Sequence, residues 1–148
     1  MFSILGNIAG LSFLDLFSGS GVVGIEAASR GAEPVLLIEK DRRKIPVIRR
    51  NIAFVETPIT VLASPAERVL ENPKRRYDII YLDPPFNYNK KQELLRLSAE
   101  GNALEKKGLC IIHHPSTEEL PERVAGLERI DTRRYGGSTL SFFRPSEG

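Results

Sequence analysis

Leu11-Ser12-Phe13-Leu14-Asp15-Leu16-Phe17-Ser18-Gly19-Ser20-Gly21-Val22-Val23-Gly24 is the stretch whose reading decides the fold. An apolar run with one internal aspartate stops at four turn residues, and the spacing after it becomes helical. That is a buried strand, a glycine turn and a helix start. Gly19, Gly21 and Gly24 fit the pattern GxGxxG, and Glu39 lies twenty residues after Gly19. In a βαβ unit this combination marks a dinucleotide site. Its physical content is broader, because glycines let backbone turn sharply and approach a ligand closely. An acidic side chain ending the next strand accepts both hydroxyls of a ribose. Any nucleoside cofactor suits the arrangement, NAD and S-adenosylmethionine included.

Working outward, apolar stretches alternate with helical patterns. Helices are expected at 21–30, 43–54, 65–71 and 90–100, and a short one at 118–124. Strands are expected at 11–17, 35–38, 59–62, 77–82 and 108–113. Pro46 must fall in the first turn of its helix, where its missing N–H costs nothing. Residues 127–134 and 138–144 flank Gly136-Gly137, a hairpin signal. Residues 1–8 resemble the end of an amphipathic helix. Strands alternating with helices give parallel βαβ units, and the closing hairpin supplies one antiparallel strand. The expected class is α/β.

The chain has 148 residues, 41% hydrophobic and 27% charged, with one cysteine. That is one domain of ordinary composition, with no room for the catalytic domain a dehydrogenase adds. No apolar run is long enough to span a bilayer and no leader pattern opens the chain, so a cytoplasmic monomer is expected. Net charge is only +2, but basic residues cluster at 42–44, 49–50, 74–76, 90–91 and 133–134. Each run reads first as a solvated face; gathered on one side, they would suit phosphate.

Asp83-Pro84-Pro85-Phe86 follows a strand at the same sheet edge as the glycine loop. Prolines stiffen the chain and remove donors, leaving carbonyls. One rigid carboxylate and one carbonyl match an exocyclic NH2 group. They orient it and stabilise positive charge growing on nitrogen. Phe86 offers a face for a flipped-out base. Asp15, poorly placed under a pyrophosphate, makes better sense beside a cationic amino group such as the methionine end of S-adenosylmethionine.

Together, residues 15–21 and 83–86 resemble class I S-adenosylmethionine-dependent amino-methyltransferases. More narrowly, residues 2–7 (FSILGN), 24–31 (GIEAASRG) and 135–142 (YGGSTLSF) resemble the bacterial 16S rRNA (guanine-N2)-methyltransferase family. The resemblance covers essentially the whole chain. It implies a Rossmann-like, seven-stranded, mostly parallel sheet with helices on both faces and a C-terminal antiparallel hairpin strand. It implies S-adenosylmethionine held by Asp15, Phe17, Gly19, Ser20, Gly21, Glu39, Lys40 and the backbone amide of Ala66. Asp83, Pro84, Pro85 and Phe86 would act on guanine N2 of ribosomal RNA or of the small-subunit particle. Family members carry an additional basic arm before the helix with which this chain begins. Where they place a polar residue before alanine, this chain has Pro65. A DNA adenine-N6 methyltransferase and a non-catalytic cofactor-binding RNA protein are the alternatives.

Three features read as structural. His113 and His114 are adjacent on a strand and face opposite ways, so they do not form a metal pair. Cys110 is expected to be a core thiol, and Asp78, at the opposite sheet edge, a turn or capping residue.

Overall fold

The structure is a computed structural model, and it describes residues 1–146. Eight strands form one sheet: β1 (Phe13–Asp15), β2 (Val35–Glu39), β3 (Ile59–Ala63), β4 (Tyr77–Leu82), β5 (Leu104–Pro115), β6 (Arg123–Val124), β7 (Leu127–Tyr135) and β8 (Ser138–Pro145). Five helices accompany them: α1 (Phe2–Leu5), α2 (Val22–Ser29), α3 (Ile45–Ile52), α4 (Ala66–Glu71) and α5 (Lys91–Glu100). The strand order is β3-β2-β1-β4-β5-β8-β7-β6. The first five in that order are mutually parallel. β8 runs antiparallel between β5 and β7, so the mostly parallel α/β expectation holds.

Alternate residues of each central strand enter opposite layers. Leu14, Ile38, Ile80 and Cys110 pack with Leu94 and Leu95 of α5, whereas Phe13, Leu37, Ile79 and Ile111 pack with Ala27 and Ala28 of α2 and Ile48 of α3. Strands covered on both faces must be apolar at nearly every position, which is why these runs do not alternate in sequence. Gly24 allows α2 to lie close on the sheet, since a Cβ there would sit 2.1 Å from Leu37 Cδ2. Pro46 falls in the first turn of α3. Cys110 is fully buried, and burial pushes its thiol up to about 12. At the far edge, Asp78 accepts the Ser12 N–H at 2.9 Å and tethers β1 to β4.

The C-terminal third departs from expectation in two linked ways. The helix expected at 118–124 is absent, and the sheet has eight strands rather than seven. Pro121 cannot donate inside a helix. Ala125 and Gly126, at φ 50° and 88°, close a two-residue turn that pairs Val124 with Leu127 and Arg123 with Glu128. Two left-handed residues give the turn whose twist suits a hairpin. A second antiparallel pairing therefore follows the one expected at Gly136-Gly137. β5 is also longer than the expected 108–113. Among the described residues, no helix is long and apolar enough to cross a membrane.

Candidate active site

β1 pairs with β2 on one side and β4 on the other, so connections leave it in opposite directions. Ligands of open α/β sheets bind at such a switch point, beyond the carboxyl ends of the strands. Asp15 lies opposite Leu37 of β2 and Tyr81 of β4. Two residues further on are Phe17, Glu39 and Asp83. Strand periodicity alone thus brings three acidic residues to one edge.

The glycine loop is fixed before any ligand arrives. Gly19 and Gly21 have φ of 58° and 87°, the left-handed region that glycine enters without strain. A side chain at Gly21 would press on Ile48 Cγ2 at 3.3 Å, while the space around Gly19 is open. Gly19 therefore leaves room for a close approach. Gly21 N–H donates to Ser18 O at 2.8 Å, and Asn51 Nδ2 of α3 donates to Ser20 O at 2.8 Å. Glu39 closes the arrangement by accepting Gly19 N–H at 2.8 Å and Asp41 N–H at 2.9 Å. A carboxylate has about four acceptor sites, so this scaffolding leaves Glu39 capacity for two hydroxyls.

A cavity of about 680 Å³ opens over this edge. Of the sequence-derived cofactor residues, Asp15, Phe17, Gly19, Ser20, Glu39, Lys40 and Ala66 line it, and Asp83 and Pro85 line it from the β4 side. Gly21, Pro84 and Phe86 do not. Gly21 packs under the loop, Pro84 is buried behind Asp83, and the Phe86 ring is 49% exposed.

Asp15 is the most unusual group there. It is 1% exposed; Oδ1 accepts Phe17 N–H at 3.3 Å, and Oδ2 has no hydrogen-bond partner. Burial pushes its carboxyl up to about 7 against the opposing Phe17 hydrogen bond, and the Asp83 charge adds to the rise. A buried carboxylate oxygen without a donor is costly, and an ammonium group removes the cost. The donor set therefore fits S-adenosylmethionine: an orphaned acceptor for its amino group, an open glycine for its chain, and Glu39 for its ribose.

Four residues that sequence reasoning left out complete the site. Tyr88 lines the cavity, donates from its hydroxyl to Glu67 Oε1 at 2.9 Å and meets Phe17 edge-on at 5.9 Å. Lys91, 1% exposed, is read from sequence as a solvated helix residue. Its Nζ donates to Phe86 O at 3.1 Å and Tyr88 O at 2.5 Å and pairs with Glu118 Oε1 at 2.9 Å. All three ammonium protons are used, so a buried cation fastens the loop after Pro85. Tyr81 lies in the cavity wall, its phenol pushed up by burial and by the Asp83 and Asp15 charges. His113 and His114 do face opposite ways, but His113 is in the site: its Nδ1 is 2.9 Å from Asp83 Oδ1, whereas His114 Nε2 bonds Ser141 Oγ. Nothing in one sequence gives the β4–β5 register that joins Asp83 to His113.

The chain resembles known proteins over most of its length. The chain is 35% identical over 136 residues to "Putative rRNA methyltransferase YlbH" of Bacillus subtilis, covering 88% of this chain and 74% of that one. It is 34% identical over 105 residues to "Ribosomal RNA small subunit methyltransferase D" of Buchnera aphidicola, covering 70% of this chain but only 54% of that one. A solved structure described as a conserved hypothetical protein of Streptococcus pyogenes superposes with a TM-score of 0.91 at 30% identity, over 98% of this chain and 92% of that one. The family described as Conserved hypothetical protein 95 matches residues 1–144, and this chain belongs to it.

Proposed function

We propose that this chain uses S-adenosylmethionine to methylate the exocyclic N2 of a guanine in small-subunit ribosomal RNA. The observation that carries the reading is the pairing of two carboxylates in one cavity. Asp15 is buried at the end of β1 with its Oδ2 unpartnered; Asp83 stands before two prolines just past the end of β4. The first suits the cofactor's cation, the second an amine.

When bound, the cofactor supplies an electrophilic methyl group on a sulfonium. The chain's task is to bring a poor nucleophile to it. Asp83 and a proline carbonyl of the motif accept the two N–H groups, turning the nitrogen lone pair toward the methyl group and stabilising the charge that develops. Phe86 presents an exposed ring on which a flipped base stacks, worth about 1–3 kcal/mol. Lys40 and Lys44 line the same cavity, and Arg42 and Arg43 stand exposed beside them; these charges suit a phosphate backbone. The printed names of the Bacillus and Buchnera relatives point to ribosomal RNA.

The experiment is methyl transfer from labelled cofactor to unmodified small subunits and to naked small-subunit RNA, followed by nucleoside analysis. N2-methylguanosine is expected. N6-methyladenosine would support the adenine reading, which the same acidic diproline motif allows. Cofactor binding without transfer to either substrate would leave a non-catalytic RNA protein.

A further inference from the structure

β4 and β5 run in parallel with Leu82 opposite Ile112, so Asp83 and His113 leave the sheet side by side. His113 Nδ1 lies 2.9 Å from Asp83 Oδ1, with side-chain exposures of 26% and 38%. An ionised carboxylate only accepts, so Nδ1 carries the proton of this hydrogen bond. The same imidazole meets the Phe86 ring edge-on at 5.5 Å. One side chain thus touches both the carboxylate and the stacking ring of the motif. The other groups facing it are few. Leu140 of β8 lies opposite His113, and Arg133 of β7 lies beyond Leu140, paired with Asp131 at 3.0 Å. Behind Asp83 are Tyr81 and Asp15.

Building on the amine-methylation reading, we propose that His113 is a positioning residue for Asp83. Its Nδ1–H holds Oδ1, so that Oδ2 is the atom presented to the guanine amine. A half-exposed aspartate otherwise samples several rotamers, and pre-orientation removes that cost from the reaction. A neutral donor does this without cancelling the negative charge that the amine needs, as a lysine or arginine would. The step balances within the named groups. N2 gives its lone pair to the methyl carbon as the carbon–sulfur bond breaks toward sulfur, and the surplus N2 proton passes to Asp83 Oδ2.

The test joins a spectroscopic and a kinetic readout on the whole chain. Long-range proton–nitrogen NMR of the ligand-free protein should show His113 as the Nδ1–H tautomer, and Asp83→Ala should abolish that preference. Single-turnover methyl transfer is then followed at saturating RNA and cofactor. Asn at 113 keeps an N–H near Nδ1. His113→Asn should stay within about threefold of wild type, while His113→Ala should be roughly 10–100-fold slower with unchanged cofactor affinity. An Nε2–H tautomer in wild type, a wild-type rate in His113→Ala, or equal slowing by asparagine and alanine would overturn the proposal. Transfer to guanine with the wrong tautomer sinks the pairing and leaves the functional reading standing. The expected tautomer with no transfer to guanine sinks that reading, and the positioning role falls with it.

Discussion

Asp15 and Asp83 belong to neighbouring strands of the same sheet edge and line the same cavity, yet their surroundings are opposite. Asp15 is sealed from water, has one free oxygen and is pushed up to about 7. Asp83 is partly exposed, sits beside His113 and precedes two prolines. The difference arises from register. Asp15 lies inside the ladder opposite Leu37 and Tyr81, whereas Asp83 stands one residue beyond the last residue of β4. A carboxylate inside the sheet waits for a charge to be delivered; one just outside it is ready to handle a polar base. In the proposed reading, one side of the cavity binds and the other reacts.

That division can be broken most visibly at Asp83. Asp83→Asn should keep the fold and cofactor affinity but lower the single-turnover methyl-transfer rate by roughly 10²–10³-fold, the effect of losing one preorganised electrostatic contact. A rate near wild type would reduce Asp83 to a turn residue. Asp15→Asn should do the reverse, weakening cofactor binding by about 2–3 kcal/mol in calorimetry. It should also make the ligand-free chain more stable at pH 8. The sign follows from the raised carboxyl: the folded chain holds the Asp15 proton up to about pH 7, the unfolded chain only to about 3.8. Stability from this group therefore falls as pH rises from about 4 to about 7 and stays low above it. Removing the charge recovers on the order of 1–4 kcal/mol, measurable by denaturant titration at both ends of the range. Equal effects at acid and alkaline pH would refute the burial account.

Two smaller effects sharpen the contrast. Glu39→Ala should weaken cofactor binding by about 1–3 kcal/mol, through the ribose and through the loosened Gly19 amide. Unchanged affinity would show that Glu39 serves the loop alone. Phe86→Ala should leave cofactor binding untouched and cost about 1–3 kcal/mol in RNA affinity, read by titration with small-subunit RNA. A change in cofactor affinity instead would move Phe86 to the binding side of the cavity.

Most of the proposed binding side is legible in the sequence, because its signals are local. Gly19 and Gly21 must be glycines for backbone reasons, and Glu39 ends the next strand at a fixed distance. The reacting side was legible only in its motif. His113 joins Asp83 through a β4–β5 register that no local pattern encodes, and Lys91 looks like any helix lysine until the loop carbonyls and Glu118 enclose it. The helix expected at 118–124 failed for a related reason. Ala125 and Gly126 adopt the left-handed turn that recruits Arg123 and Val124 into the sheet. Leu120 is then buried from the loop rather than from a helix face. Long-range pairing outweighed local propensity there.

In the proposed reading Asp15 receives the cofactor's positive charge, and the number of protons released on binding reports it. S-adenosylmethionine binding is measured calorimetrically at about pH 6.5 in two buffers of different ionisation enthalpy. With Asp15 pushed up to about 7, the free chain holds most of that proton, and an incoming ammonium group drives it off. The expected result is release of most of one proton by the wild-type chain, none by Asp15→Asn, and a wild-type affinity that rises with pH. Binding with no proton release, or the same release from Asp15→Asn, would contradict the account.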